Sequence, residues 1–307
     1  MSIIQRHPAA SRVAESVLRD WIGLDAETIG RAAIDRAVRG TLEGEPGCDD
    51  ETFAARLAGD SSLRDRLVEE VIVAESWFFR DPQVFELLRR HAVARAAEPA
   101  RGPLRILCVP CAAGEEPFSV AMAVLDAGVD PGRVVIDAFD VSRAGLKRAK
   151  AATYSANAFR GVDLSYRDRW FRAAAGSWTL VDTVRHMVRF EWGNLLDDTF
   201  LPEGAAYDVI FCRNLLIYLT ADARRRAERV LDRLLTADGL LVLGAAEPPI
   251  LKGPWVPAAA TSMFTLRRTP AAAPAQAPAS PPPPPFGPPT ASRPPQPPAR
   301  PRACGGA

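Results

Sequence analysis

The opening stretch of the chain carries a helical rhythm. Val13, Val17, Leu18 and Trp21 recur at three- and four-residue spacing, which predicts a helix with one apolar face. Asp25 is placed to cap a second helix reaching about Leu42, with Ile29, Ala33, Ala37 and Val38 on one side. A polar loop with Pro46 and Gly47 follows, then two more helices over 51–58 and 61–74. From Leu104 the rhythm changes to short apolar runs alternating with helical ones. The runs at 104–109, 134–139, 208–212 and 240–244 predict strands, and 117–127, 143–149 and 221–235 predict helices. Strand–helix alternation of this kind predicts an α/β fold with a parallel sheet covered on both faces. The run 263–266 reads as a late strand folding back antiparallel, and 178–181 with 184–192 as a small hairpin inserted before the third major strand.

Composition narrows the field. The chain has 307 residues, 48% of them apolar, which is room for about two domains with a sizeable core. Beyond residue 269 it becomes Pro, Ala, Ser and Gln. Fifteen of its 28 prolines fall there, so this piece cannot bury enough apolar area to fold and reads as an extended spacer. The net charge is +1, and the acid-free tail holds Arg293, Arg300 and Arg302, which leaves −2 for the body. A near-neutral body argues against a nucleic-acid binder. No apolar run is long enough to span a bilayer and no signal-peptide pattern opens the chain, so a cytoplasmic location without membrane insertion is expected. Cys108-Val109-Pro110-Cys111 has no second cysteine pair and no redox setting, so these thiols read as packing at a strand end. The three histidines, His7, His91 and His186, stand outside every motif, which disfavours a metal site or a nucleophile–histidine pair.

Three scattered segments carry the chemistry: Trp77-Phe78-Phe79-Arg80, Cys111 to Pro117, and Phe211 to Tyr218. The middle one is a strand, a small-residue turn and a helix start, which presents a nucleotide-like ligand at the carboxyl edge of a parallel sheet. The paired Glu115 and Glu116 repel phosphate and favour hydroxyls or a cation, a demand that S-adenosylmethionine meets. Gly114 allows a close backbone approach. Either glutamate can also stabilise the helix N-terminus, and Glu115 reads as the structural member of the pair. Asp140, ending the second strand, can take two hydrogen bonds from a ribose diol, or can cap a helix unless Ser142 does so. Asn194 can read a base edge or shape a turn. Arg213 and Asn214 follow an apolar strand abruptly, where polar residues make poor core.

In order, these motifs resemble the CheR-type chemoreceptor glutamate methyltransferases, with Ser76-Trp77-Phe78-Phe79-Arg80, Gly114-Glu115-Glu116-Pro117-Phe118-Ser119, Phe139-Asp140-Val141-Ser142, Asn194-Leu195-Leu196 and Cys212 to Tyr218 carrying the likeness from about Val13 to Arg268. Tyr154 and Trp170-Phe171 also stand where the family has aromatics. The resemblance implies a Rossmann-like class I methyltransferase sheet over 76–268, a helical N-terminal domain over 1–75, a small β-subdomain near 172–192 and a tail from 269. It implies S-adenosylmethionine as cofactor, S-adenosylhomocysteine as product and no metal. Ser76, Arg80, Gly114, Glu116, Asp140, Asn194, Leu195, Arg213 and Asn214 then contact the cofactor, with Arg80 and Tyr218 nearest the reaction. Departures from the family pattern are Ala74 for Asn, Ser76 for Thr, Ala112-Ala113 for Ser-Thr, and Gly244-Ala245-Ala246-Glu247 for a Gly-His-Ser-Glu run.

The reaction so implied displaces a methyl group onto a glutamate carboxylate, already ionised near neutral pH, so no general base is needed. A guanidinium holds such a carboxylate in a fixed plane. The alternatives on the residues alone are an Arg80 pair with Asp81 or Glu86, and Tyr218 as a core aromatic. The resemblance also implies a monomer whose partner is the methylation helices of a chemoreceptor, met through Arg31, Arg36 and Arg39. Residues 1–74 nevertheless hold nine arginines, no lysine and 14 acids, so that face also reads as an ordinary solvated helix. Tethering to a receptor tail through so short a β-subdomain is not expected. A methyltransferase for another protein or a small carboxylate, and a non-catalytic S-adenosylmethionine-binding scaffold, are the rival readings.

Overall fold

The computed structural model describes residues 7–269 except 46, 73, 74, 162, 260 and 261. Ala74 and the expected spacer from residue 270 lie outside the described residues. Helices come first: α1 (Pro8–Ile22), α2 (Ala26–Ile29), α3 (Arg31–Glu43), α4 (Asp50–Gly59) and α5 (Ser61–Val71). Asp25 caps α2 as expected, accepting from the Glu27 N–H at 3.1 Å. The expected single helix is two, because Gly30 takes φ 81° and ψ 133°, outside helical space and open to glycine, and breaks it. These helices bury their own cluster, with Leu18, Val38, Phe53, Leu57 and Leu67 at its centre.

A further helix, α6 (Pro82–Ala96), leads into the α/β part, and sequence periodicity did not single it out. Then come β1 (Leu104–Cys108), α7 (Glu115–Asp126), β2 (Val134–Asp140), α8 (Arg143–Ala151), β3 (Thr153–Tyr154), α9 (Ser165–Trp170), β4 (Phe171–Ala174), β5 (Ser177–Leu180), α10 (Asp182–Arg185), β6 (Val188–Trp192), β7 (Tyr207–Cys212), α11 (Ala221–Leu234), β8 (Leu235–Leu243), β9 (Trp255–Ala259) and β10 (Ser262–Arg268). Seven strands form one sheet in the order β6-β2-β1-β7-β8-β10-β9. β6, β2, β1, β7 and β8 run parallel, and β10 returns antiparallel as expected. The central strands are apolar without alternation because both faces are covered. Along β1, Ile106 and Cys108 enter one core cluster while Leu107 enters the other.

The expected hairpin is paired differently. Trp178 and its neighbours form β5, which joins β4 and β3 in a separate antiparallel three-stranded sheet. Val188–Trp192 is instead an edge strand of the main sheet, parallel to β2. Val188 and Phe190 are buried in the main core, and that burial decides the partner. The small sheet therefore draws on 153–154 and 171–180 rather than on 172–192.

β1 is the switch point. The chain winds from β1 through β2 to β6 on one side, then through β7 to β8 on the other. A crevice at such a point, outside the carboxyl ends of the strands, is where open α/β sheets bind ligands.

Candidate functional site

Three connected cavities occupy that crevice, and Pro110 walls all of them. An outer polar one of about 70 Å³ is lined by Ser76, Trp77, Arg80, Glu116, Arg213 and Asn214. A middle one of about 120 Å³ lies against Ala112, Asp140, Asn214 and Tyr218, with Leu24 and Ile72 from the helical region opposite. A third, apolar one of about 70 Å³ shares Val141 and Leu215 with the middle cavity and adds Val109, Asn194, Leu195 and Leu196. Nine of the ten residues expected at the site thus meet in one crevice. Gly114 does not line it. At φ 93°, with a notional Cβ 3.0 Å from the Tyr154 hydroxyl and from Ala149, it is required by the turn and by close packing behind the wall.

The turns that carry these side chains are clamped. Asp140 accepts three backbone N–H groups: Cys111 at 3.1 Å and Ala112 at 2.7 Å on Oδ2, and Ser142 at 2.8 Å on Oδ1. Of about four acceptor positions on a carboxylate, one is left for a ligand hydroxyl. The helix cap falls to Ser142, whose Oγ accepts from the Gly145 N–H at 2.7 Å. Ser119 accepts from the Phe79 N–H at 2.9 Å and ties the segment before Arg80 to α7. Phe78 is fully buried, stacked on Phe159 at 5.2 Å and edge-on to Tyr154 at 4.8 Å and Phe171 at 5.0 Å. Among the described residues, four of the seven non-glycine residues with positive φ, namely Phe79, Asp81, Ala112 and Asn214, sit around this crevice. Such conformations cost about 1–3 kcal/mol each and cluster where function requires a fixed geometry.

Glu247 was visible in the sequence only as the end of an altered run, yet it organises the third segment. Completely buried, it accepts the N–H groups of Asn214 (2.9 Å), Leu215 (2.8 Å), Leu216 (2.7 Å) and Gly244 (2.6 Å). Arg213 is also buried. It donates to Glu116 Oε2 at 2.9 Å, to the Arg80 carbonyl at 3.2 Å and, in a close pair, to Asp81. Asp81 is therefore the partner of Arg213, and Glu86 pairs with Arg89. Among the described residues no carboxylate pairs with Arg80, whose guanidinium carbon rests 4.4 Å from the centre of the Trp77 ring. Burial pushes the Glu116 carboxyl above its ordinary pKa, and Arg213 opposes that shift. Asp140 is raised for the same reason, against the pull of its three N–H donors.

Asn194 is partly committed to structure, donating to the Trp21 carbonyl at 2.7 Å and accepting from the Leu196 N–H at 3.0 Å. It thereby joins α1 to the crevice. Tyr218 lies in the turn after Leu215, and its carbonyl accepts from the Asp25 N–H at 2.8 Å. Cys108, Cys111 and Cys212 are buried free thiols held well above the ordinary thiol pKa by desolvation. Among the described residues no group of three or more His, Cys, Asp or Glu is placed to hold a metal, and no helix is long and apolar enough to cross a membrane.

The donor set grades from charged, with both signs present, through a hydroxyl acceptor, to apolar. It suits a ligand with a zwitterionic end, a sugar and a flat base, as S-adenosylmethionine has. Residues 74–252 match the family described as CheR methyltransferase, SAM binding domain. The chain belongs to the CheR methyltransferase family. S-adenosylmethionine is the cofactor, and the sheet is that of a class I methyltransferase. The probable biofilm formation methyltransferase WspC of Pseudomonas aeruginosa is 41% identical over 297 residues, covering 94% of this chain and 70% of the relative. The protein of the same name in Pseudomonas putida is also 41% identical over 235 residues, and the alignment spans only 55% of its length. The chemotaxis protein methyltransferase of Listeria monocytogenes is 28% identical over 231 residues, covering 75% of this chain and 87% of the relative.

Proposed function

We propose that this CheR-family protein methylates glutamate side chains of a chemoreceptor, or of a receptor in a related signalling system, from the cytoplasmic side. Arg80 carries the reading. A guanidinium held by an aromatic ring rather than by an acid, beside the polar end of the cofactor crevice, is free to take a carboxylate. When bound, the cofactor supplies an electrophilic methyl group. Glu116, with Ser76, Arg213 and Asn214 around it, holds the zwitterionic end, and Asp140 takes a ribose hydroxyl with its remaining acceptor position. Asn194 and Leu195 border the base. Arg80 and Tyr218 orient the acceptor carboxylate and exclude water from it.

A carboxylate nucleophile transfers no proton, so the chemistry asks for no base. Among the described residues no histidine lines the crevice. The relative named chemotaxis protein methyltransferase supports a receptor acceptor. So does α3, on which Arg31, Arg36 and Arg39 take part in no ion pair among the described residues and offer charge to an acidic helix.

The test is transfer of labelled methyl groups to receptor-containing membranes from the same organism, beside Asp140→Ala. Base-labile label in the wild type and its loss in the variant are expected. Saturable binding of S-adenosylhomocysteine with no label on any receptor would replace this reading with a non-catalytic one.

A further inference from the structure

A second ion pair stands at the lip of the polar cavity, outside the machinery described so far. Arg160 Nη1 lies 2.7 Å from Glu75 Oε1, with the two side chains 45% and 58% exposed. The Arg160 guanidinium carbon is 4.6 Å from the centre of the same Trp77 ring that supports Arg80. Glu75 and Ser76 border the polar cavity on one side and a separate cavity of about 290 Å³ on the other. Arg148 and Arg160 line that second cavity, and no carboxylate forms an ion pair with Arg148 among the described residues. Glu115 also faces it, buried, with Oε2 unpartnered.

We propose that Arg160 is a second carboxylate-recognition residue for the acceptor, and that Glu75 occupies its place in the free protein. The inference rests on the acceptor reading above and adds a requirement to it. Half-exposed pairs of this kind are weak, so Glu75 can yield to an incoming carboxylate of the same chemistry. Arg80 and Arg160 touch one ring, which places their guanidinium carbons within about 9 Å of each other; two acidic side chains three or four residues apart on a helix, with Cβ atoms about 5–6 Å apart, can reach both. The acceptor is therefore a helix in which the methylated glutamate, read by Arg80, has a second acidic residue one turn away, read by Arg160. The second cavity gives that side chain room, and Arg148 adds positive charge there.

The test uses the full chain, S-adenosylmethionine and a purified receptor cytoplasmic fragment whose methylated glutamate has been mapped. Arg160→Ala should raise the acceptor KM about fivefold, the size expected for one exposed charge pair, with kcat and S-adenosylhomocysteine binding little changed. Glu75→Gln should lower the acceptor KM about twofold by removing the competing carboxylate. In a fragment whose acidic residue one turn away is changed to its amide, Arg160→Ala should have no further effect. Independent effects of the protein and acceptor changes, a raised KM in Glu75→Gln, or a loss in Arg160→Ala that falls on cofactor binding would each overturn the proposal. A wild-type protein that methylates no fragment would instead sink the acceptor reading on which it rests.

Discussion

Glu247→Gln isolates the cost of unclamping the turn that carries Arg213 and Asn214. The substitution keeps the shape and removes one charge. The Oε1 side serves Leu215 and Leu216 and the Oε2 side serves Asn214 and Gly244, so whichever way the amide lies, its NH2 faces two N–H donors. Two hydrogen bonds to a charged acceptor, worth about 1.5–3 kcal/mol each, are lost in a site with no solvent to replace them, giving a loss of about 3–6 kcal/mol. Against a total stability of about 5–15 kcal/mol that is a large fraction. At about 2–4 °C per kcal/mol for a chain of this class, the melting temperature should fall by roughly 10 °C. Thermal melts followed by circular dichroism, with and without S-adenosylhomocysteine, check both halves of the claim. Saturating ligand at a hundred times its Kd adds about 2.7 kcal/mol to a protein that binds only when folded. The variant should lose much of that increment, because Asn214 borders the polar and middle cavities. A melting temperature within about 2 °C of wild type, a shift that corresponds to less than about 1 kcal/mol, would refute the reasoning.

Arg80→Ala should abolish most methyl transfer while the protein folds, since among the described residues no carboxylate forms an ion pair with that guanidinium, which rests on Trp77; near-normal turnover would reject its role. Glu116 and Asp140 have raised carboxyl pKa values, so their proton affinity is higher folded than unfolded. Their contribution to the stability of the ligand-free protein is therefore full below the ordinary carboxylate range and is lost as pH rises through the raised values. Cofactor binding should run the other way, weakening as pH falls through those same values because it uses the ionised forms, and Glu116→Gln should flatten that profile in calorimetric titrations across mildly acid pH. Gly23→Ala should destabilise by several kcal/mol, because φ is 71° and a Cβ would stand 2.4 Å from Ala223 Cβ and 2.5 Å from Leu196 Cδ1; urea denaturation reads it, and a loss under about 1 kcal/mol would contradict the packing.

The sheet was legible because its central strands are buried on both faces and so stand out as unbroken apolar runs. Edge elements were not. Val188–Trp192 alternates as a surface hairpin strand would, and only its partner, β2, tells the two apart. α6 carries its signal, Pro82 at the first turn with Val84, Phe85, Leu88 and Ala92 behind it, directly after the segment that ends in Arg80. At the site, nine of the ten residues picked out by type line one crevice, but their structural duties could not be read from residue type. Asp140 reads as a ligand for hydroxyls, and its first work is to hold the backbone of Cys111 and Ala112. Asp81 reads as a partner for its neighbour Arg80, yet its left-handed backbone turns it to Arg213, 132 positions away. Pairs such as Arg160 with Trp77 leave no trace in local spacing, because the contact is made by tertiary packing alone.

The helical region is joined to the chemistry by main-chain hydrogen bonds as well as by side chains, Arg143 pairing with Asp65 at 3.0 Å among them. Leu24 and Leu219 form a bridge; the Asp25 N–H donates to the Tyr218 carbonyl at 2.8 Å and the Thr220 N–H to the Gly23 carbonyl at 2.8 Å. Asn194 ties in Trp21, and Glu69 accepts from Ser142 Oγ at 2.6 Å and from the Ala144 N–H at 3.0 Å at the start of α8. The turn that carries Tyr218 is thus fixed from two sides, by Glu247 in the loop after β8 and by residues 23–25 from the helices. Backbone hydrogen bonds allow no rotamer slack. If an acceptor helix docks on α3 as proposed, it meets a surface whose position relative to Tyr218 is set by the fold. On this reading the helical region is part of the active-site wall, since Leu24 and Ile72 close the middle cavity opposite Asp140.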